Sequence, residues 1–163
     1  MEQSQTSRSG LLSPGGWLLV GLLALGAYAF THRVGRAPPE WGSDLAAAQE
    51  QASVEGRCVL IEFWLPGCTY CRIMESEVLP DDQVGRALTD WIPIRLDMTV
   101  ERELANRFRV TGAPTFVALS PQGAEIERIS GYQPANLFAG FLDRAQNASR
   151  SSGSASKSPT NPY

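Results

Sequence analysis

Residues 63–71 read FWLPGCTYC, and this stretch decides the fold of the 163-residue chain. It overlaps the end of an apolar run, CVLIEFWL at residues 58–65, whose length and β-branched and aromatic residues predict a buried strand. A proline and a glycine end that strand. The residues that follow, 68–78, place their apolar side chains at helical spacing. The two cysteines therefore lie between a predicted strand and a predicted helix.

Helices and strands alternate on both sides of this stretch. Upstream, the Ala-rich residues 41–55 predict a helix with Ser43 as its N-cap. Downstream we expect a helix, a strand, a helix, a hairpin of two strands and a last amphipathic helix, at residues 81–88, 91–96, 101–108, 115–119, 125–129 and 136–145. This order predicts an α/β domain with a central mixed sheet, flanked by helices on both faces and edged by the antiparallel hairpin.

The cysteine pair, Cys68 and Cys71, carries the chemistry of this arrangement. Cys68 opens the helix, where unpaired backbone N–H groups and the helix dipole stabilise a thiolate. Cys71 lies one turn further on, within reach to close a disulfide. The pair therefore suits two-step exchange, in which the first sulfur attacks a partner disulfide and the second resolves the mixed disulfide.

Other uses of two cysteines compete with this one. A zinc site needs four ligands, and Cys58 and the sole histidine, His32, are the only further thiol or imidazole groups. Covalent haem attachment needs a histidine after the second cysteine, where this chain has Arg72. A structural disulfide and copper carriage assisted by Met74 or Met98 stay open. We expect no cofactor and no metal site.

A second motif, VTGAPTF at residues 110–116, begins about 40 residues after the cysteine pair. Together with residues 63–71 it resembles the two signatures of the thioredoxin-fold family, in which the proline, here Pro114, is cis and faces the cysteines. Gly131-Tyr132 before the last helix fits the same pattern. The resemblance covers about residues 40–145 and implies a thioredoxin-like fold, with Cys68 as the nucleophile and Cys71 as the resolving thiol.

Further motifs resemble one branch of that family, the C-terminal periplasmic domain of the thiol:disulfide interchange protein DsbD. They are the acids Glu62 and Glu75, the run RLDMT at residues 95–99, and the turn PQG at residues 121–123. The branch passes electrons to periplasmic partners, so the resemblance implies a reductant of disulfides in exported proteins. The branch also has a multi-span electron-importing domain, whereas this chain has at most one span. A separate membrane or thiol electron donor is therefore implied.

Two acids are expected to tune the cysteine chemistry. Glu62 lies six residues before Cys68 in a strand that should be buried, so its pKa should be raised and it is suited to exchange a proton with Cys71. The alternative is an exposed carboxylate on an edge strand. Glu75 lies one turn after Cys71 and either tunes the same proton or is an ordinary solvated acid.

Partner binding is expected around the cysteine pair. Trp64, Pro66 and Tyr70 predict an apolar docking surface, although Trp64 and Tyr70 would also suit simple packing. Ala113 and Pro114 are expected to offer backbone to an extended partner strand. Cys58 opens the buried strand and is interpreted as a small core residue. An oxidase or isomerase using the same pair stays an alternative, as does a binding module that acts as a chaperone or metal carrier.

The ends of the chain are expected to lie outside the domain. Residues 11–31 are almost wholly apolar and predict either an uncleaved single-pass anchor or a cleaved signal peptide, with a small-x-small site at residues 27–29. Either one favours export, giving a membrane-tethered periplasmic domain or a soluble exported one. The predicted organisation is an N-terminal tail, this segment, a linker, the domain and a disordered tail, at residues 1–10, 11–31, 32–39, 40–147 and 148–163.

Charge argues against one class of partner. Residues 37–147 hold 16 acidic residues and nine arginines, a net charge of −7. Affinity for nucleic acid depends on neutralising phosphates with basic side chains. We therefore expect no nucleic-acid partner.

Overall fold

A computed structural model describes residues 40–155, and within that range the helices and strands follow the predicted order. The strands are β1 (Cys58–Trp64), β2 (Trp91–Asp97), β3 (Thr115–Leu119) and β4 (Glu125–Ser130). The helices are α1 (Leu45–Glu55), α2 (Thr69–Ile73), α3 (Asp82–Leu88), α4 (Arg102–Arg107) and α5 (Ala135–Ala155). A π-helical turn, Met74–Val78, continues α2.

The four strands form one mixed sheet in the order β2-β1-β3-β4. β1 pairs in parallel with β2 and antiparallel with β3, and β4 adds the antiparallel edge. The predicted mixed sheet is therefore confirmed. Because β1 is paired along both edges and covered on both faces, its first six residues are buried, which explains its nearly continuous apolar sequence.

Alternate residues of β1 face two separate hydrophobic layers. Leu60 packs with Met74, Val84, Phe116 and Phe138, so this face is covered by the π-helical turn, α3 and α5. The opposite face of the sheet packs against α1 and α4 in a second cluster that includes Val59, Ile61, Phe63, Ala48 and Ala105. Glu62 falls on the first face, which packs against the π-helical turn.

Helix α1 begins later than predicted, and its N-cap is Asp44 rather than Ser43. Asp44 Oδ1 accepts hydrogen bonds from the N–H groups of Ala46 at 2.8 Å and Ala47 at 3.1 Å. Gly42, which precedes Ser43, pairs with β2 instead: its N–H donates to Pro93 O at 3.0 Å and its carbonyl accepts from Arg95 N–H at 2.9 Å. The assignment of Ser43 was wrong because pairing with β2 keeps this segment out of the helix.

Helix α5 continues well beyond its predicted end at residue 145, so the prediction of disorder from residue 148 is wrong as far as Ala155. Serine is only moderately unfavourable in a helix. Here the hydroxyls of Ser151 and Ser152 donate to the carbonyls of Asn147 and Ala148 at 2.9 and 3.0 Å, within the helix itself. Arg150 Nη2 also lies 4.0 Å from Oδ2 of Asp90, the residue that precedes β2.

Several predicted segments lie outside the described residues. They are the N-terminal tail, the anchor or signal segment, the linker at residues 32–39 and the last part of the tail, residues 156–163. Across residues 40–155, no helix has both the length and the apolar character needed to cross a bilayer.

The observed N-cap gives a direct test with a matched control. We expect Asp44→Ala to lower the free energy of unfolding by about 1 kcal/mol, because two backbone N–H groups lose their acceptor. Ser43→Ala removes the neighbouring cap candidate and should change it by less than about 0.5 kcal/mol. Urea unfolding of the two variants measures both values. A larger loss from the serine variant would reverse the assignment.

Candidate active site

A tight turn connects the end of β1 to the helix that carries the cysteine pair. Cys68 N–H donates to Leu65 O at 3.2 Å, which closes a four-residue turn with Pro66 and Gly67 at its centre. Gly67 has a φ of 77°, the left-handed conformation that glycine adopts without steric cost. Proline followed by a left-handed glycine is the signature of a type II turn. The sequence Pro-Gly therefore sets where the strand stops and where Cys68 begins the helix.

Cys68 and Cys71 are joined in a disulfide, with their Cα atoms 5.3 Å apart. Cys68 is the N-cap of α2, and its Sγ accepts a hydrogen bond from Cys71 N–H at 3.1 Å. Cys68 is half-buried, whereas Cys71 is only 2% exposed. One cysteine of the pair is thus partly exposed and the other is enclosed, which is the asymmetry that a nucleophile and a resolving thiol require.

Glu62 is fully buried in the middle of the sheet, as predicted. It lies between Arg95 of β2 and Phe116 of β3 in the register of the sheet. Burial raises the pKa of Glu62 from 4.5 to about 7, against the opposing charge of Arg95, and the negative charge of Glu75 adds to the rise. The raised pKa is therefore confirmed, and burial is its main cause because an ionised carboxylate loses its hydration there.

Arg95 joins three of the predicted site residues. Its Nε lies 2.8 Å from Glu62 Oε2, and its Nη1 donates to Glu75 Oε1 at 2.9 Å. Its guanidinium lies 5.1 Å from the ring centroid of Trp64. Within the described residues, however, Glu62 Oε1 and Oε2 and Arg95 Nε have no partner in hydrogen-bond geometry. The contact with Glu62 is thus mainly a charge contact, whereas the contact with Glu75 is a directed hydrogen bond.

Arg95 was not predicted as a site residue, although its position in the sequence is unusual. It is the one charged residue inside the otherwise apolar run WIPIRL that opens β2. Its relation to Glu62 becomes visible only with the parallel register of β1 and β2, which places the two residues side by side. A cation in a buried run is a sign that an anion lies nearby.

The second motif forms a loop before β3. The peptide bond between Ala113 and Pro114 is cis, which confirms the expectation for this proline. Pro114 O accepts from Gly131 N–H at 2.8 Å, so the loop is tied to the end of β4. A cavity of about 220 Å³ lies between the two, lined by Ala113, Pro114, Gly131 and the arginines Arg109 and Arg128 among others.

An exposed aromatic pair lies beside the cysteines. Tyr70 is 57% and Tyr132 is 42% exposed, and their ring centroids are 6.4 Å apart. Pro66 is exposed and Trp64 is half-buried beneath Arg95. Tyr132 was not predicted as a site residue, because only the folded chain brings the segment before α5 to the cysteine-bearing helix.

Three successive residues between β4 and α5 connect the two motifs. Gly131 donates to Pro114, Tyr132 contacts Tyr70, and Gln133 N–H donates to the Sδ of Met74 at 3.5 Å. Gly131 has a φ of 77°, which glycine adopts without cost. Apart from the disulfide, the predicted acids and Trp64 thus gather around Arg95, whereas Pro114 and Tyr70 contact the segment that follows β4.

The third cysteine stays apart from this chemistry. Cys58 is a free thiol, 4% exposed, in the hydrophobic cluster at the start of β1, which confirms its interpretation as a core residue. Burial raises the pKa of its thiol. Nowhere in residues 40–155 do three His, Cys, Asp or Glu side chains gather closely enough to hold a metal ion.

The fold and the site are both typical of one class of protein. Residues 45–146 match the profile of the thioredoxin-like domain, and the chain belongs to that family. It is similar to the thiol:disulfide interchange protein DsbD of Pseudomonas fluorescens, with 36% identity over 102 residues, which cover 59% of this chain and 18% of that protein. The chain thus spans less than a fifth of the length of the curated relatives it matches.

The chain is also similar to solved structures. A thioredoxin from Thermus thermophilus is 28% identical, with a TM-score of 0.65 over 76% of this chain and 99% of that one. The C-terminal domain of Neisseria meningitidis DsbD, in the oxidised form, has a TM-score of 0.54 and 18% identity over 65% of this chain and 99% of that one. The second comparison shows a shared fold.

The raised pKa of Glu62 makes stability depend on pH in a defined direction. The folded state holds this proton more tightly than the unfolded chain does, so the free energy of unfolding falls as pH rises from about 4.5 to about 7. The stabilisation that Glu62 contributes is complete below about pH 4.5 and is lost above about pH 7. It amounts to about 3 kcal/mol of the free energy of unfolding. We expect Glu62→Gln to lack this fall.

Urea unfolding of the oxidised wild type and Glu62→Gln across this pH range checks the difference. Glu55→Gln is the control of opposite sign, because hydrogen bonds from Arg57 and Gln51 lower the pKa of that exposed carboxyl. Its small contribution is present at higher pH and is lost as pH falls. If wild type and Glu62→Gln kept a constant difference in stability, the buried carboxyl would not be perturbed.

Proposed function

We propose that this chain is a thiol–disulfide oxidoreductase that reduces disulfides of exported proteins by exchange through Cys68 and Cys71. The observation that carries the proposal is the asymmetric pair, with a half-buried sulfur at the start of a helix and an enclosed sulfur one turn later. Membership of the thioredoxin-like family and similarity to a segment of DsbD support it.

In the first step the reduced Cys68 acts as a thiolate. Its Sγ attacks one sulfur of the partner disulfide, a new sulfur–sulfur bond forms, and the partner's other sulfur leaves as a thiolate that takes up a proton. The N–H of Cys71, which donates to Cys68 Sγ in the disulfide form, is placed to stabilise negative charge on that sulfur.

In the second step Cys71 resolves the mixed disulfide. Its thiol passes its proton to Glu62, its Sγ attacks Cys68 Sγ, and the partner's second sulfur leaves and is protonated. Two electrons have then moved from the dithiol to the partner, and the chain holds the Cys68–Cys71 disulfide. A carboxyl with a pKa of about 7 suits this role, because a general base works best when its pKa lies near the working pH.

The partner is proposed to bind across the surface around Cys68. Tyr70 and Tyr132 offer exposed rings, and Pro66 and Trp64 extend the apolar area. The partly exposed Ala113 is proposed to pair with an extended segment, because Pro114 is buried and its carbonyl already accepts from Gly131 N–H. A disulfide-containing protein with an unfolded or extended segment around its cysteine fits this surface.

The location and the electron donor complete the proposal. Residues 11–31 would tether the domain to the membrane on its periplasmic side, or would direct its export before cleavage. Reducing power would come from a separate membrane or thiol donor that returns the pair to the dithiol. A reporter active only in the periplasm, fused to the C-terminus, tests the export.

A trapping experiment tests the assigned order of the two cysteines. The probe is a synthetic peptide whose single cysteine is bonded to thionitrobenzoate, so that attack by Cys68 releases the coloured anion, the better leaving group. We expect Cys71→Ser to release the anion and keep the peptide on Cys68, whereas wild type goes on to release the peptide. Mass spectrometry measures the retained adduct.

Two controls accompany the trap. Cys68→Ser should release no anion, and Cys58→Ser should behave like wild type because Cys58 is buried away from the site. Equal adducts on Cys68→Ser and Cys71→Ser would show that the two sulfurs are interchangeable and would refute the proposed order.

The reduction potential of the pair tests the direction of electron flow. A reductant supplied by a donor should have a potential near that of thioredoxin, about −270 mV. Equilibration in glutathione or dithiothreitol buffers, followed by alkylation and mass counting of free thiols, measures it. A value near about −120 mV would instead make the pair an oxidant. Absence of a reversible pair would favour a binding module.

A further inference from the structure

We propose that the cavity beside the Ala113–Pro114 loop binds an acidic side chain of the partner, and that Arg109 is the residue that selects it. This inference rests on the proposed function, because it narrows the class of disulfide that the chain reduces. The preferred partner is a protein whose extended segment carries an aspartate or a glutamate close to its reactive cysteine.

The cavity lies where an extended partner segment would pass. Its volume is about 220 Å³, and Ala113, the residue proposed to pair with that segment, forms part of its wall. A water molecule needs only about 10–15 Å³ of cavity volume, so an acidic side chain fits there together with several waters. Because residues of an extended segment are about 3.3 Å apart and their side chains alternate in direction, a residue close to the paired one reaches the cavity.

The wall of the cavity combines positive charge with hydroxyl groups. Two arginines, Arg109 and Arg128, and two hydroxyl residues, Thr115 and Ser130, line it, and none of the described residues that line it is acidic. Residues 37–147 as a whole carry a net charge of −7. The cavity is therefore a positively charged site in a negatively charged domain, and a carboxylate is the ligand whose charge complements it.

The two arginines differ in the contacts that they already make. Arg128 donates from Nε and Nη2 to the carboxylate of Glu125 at 2.6 Å and from Nη1 to Phe108 O at 2.9 Å, so its charge is matched and its position is fixed. Arg109 is exposed, and within residues 40–155 its guanidinium forms no ion pair. Arg109 is therefore the cation that is available to a partner's carboxylate.

The backbone conformation at Arg109 is unfavourable for an arginine. Its φ is 52°, in the left-handed region that glycine adopts without steric cost. The residue follows helix α4, where its N–H donates to Asn106 O at 2.9 Å and Val110 N–H donates to Ala105 O at 2.8 Å. This pair of bonds defines the helix-ending motif in which glycine is the usual residue. An exposed side chain that costs the fold stability at this position points to a role in binding.

The experiment compares pairs of peptides that differ in one side chain. Each peptide has blocked termini and a single cysteine bonded to thionitrobenzoate, and each pair carries aspartate or asparagine at the same position, within three residues of the cysteine. Release of the coloured anion by the reduced full-length chain measures the rate constant of attack by Cys68. Each rate constant is divided by that of 2-mercaptoethanol with the same peptide, because the aspartate also changes the reactivity of the disulfide itself.

We expect wild type to attack the best-placed aspartate peptide about fivefold faster than its asparagine counterpart, the effect of a well-formed exposed ion pair. High salt should weaken this preference. Arg109→Gly should abolish the preference and, because glycine relieves the left-handed backbone, should raise the midpoint of urea unfolding. Arg109→Lys keeps the charge and should retain part of the preference.

Arg107→Gln is the matched control. It removes an equal charge two residues earlier, from a side chain that lines a different cavity with residues of α1. Its preference for the aspartate peptide should equal that of wild type. A preference lost equally in Arg107→Gln, or one that survives in Arg109→Gly, would assign the effect to the general charge of the domain and would refute the role of Arg109.

Other outcomes would also overturn the inference. Equal rates within every peptide pair in wild type would show that the cavity selects no carboxylate, and the proposed function would stand without it. In Arg109→Gly, a lower urea midpoint with slower attack on both peptides of a pair would mean that the side chain supports the loop. Failure of wild type to release the anion from any peptide would instead contradict the proposed function itself.

Discussion

The arrangement of this site depends on the free-energy cost of ionising a carboxyl that is buried inside the sheet. Glu62 belongs to β1, whose backbone is paired on both edges and whose faces are covered by two hydrophobic layers. Water cannot solvate the ionised form there, so the group resists losing its proton until about neutral pH. Arg95 offsets part of that cost without removing it. The result is a carboxyl whose pKa depends on its neighbours.

Much of the fold could be predicted from stretches in which the local structure strongly restricts the residue types. The length and the β-branched and aromatic residues of the apolar run favoured a buried strand for β1, and Pro66-Gly67 predicted its end. The same reasoning favoured burial of Glu62 over an exposed place on an edge strand, and Glu62 is fully buried. The redox role of the cysteine pair was predicted from its spacing at a strand-to-helix junction, and the cis proline was implied by the resemblance of residues 110–116 to a family motif.

The remainder depended on contacts between segments distant in the chain. Ser43 and Asp44 are equally good caps by residue type, and pairing of Gly42 with β2 decides between them. The Ser-rich end of α5 has a composition typical of a tail, yet it continues a helix already packed on the sheet. Arg95 and Tyr132 join the site only through strand register and loop placement, which no local pattern encodes.

The segment between β4 and α5 limits how the chain can change its length. Gly131, Tyr132 and Gln133 are consecutive, and each contacts a different element, namely the loop before β3, helix α2 and the π-helical turn. An insertion or deletion here would displace at least one of these contacts and separate the two motifs. The hairpin turn at residues 121–123 joins β3 to the edge strand β4, and the neighbour at its Gly123 is the long, flexible side chain of Gln49. Length variation should therefore accumulate at the hairpin and be excluded from the three-residue segment.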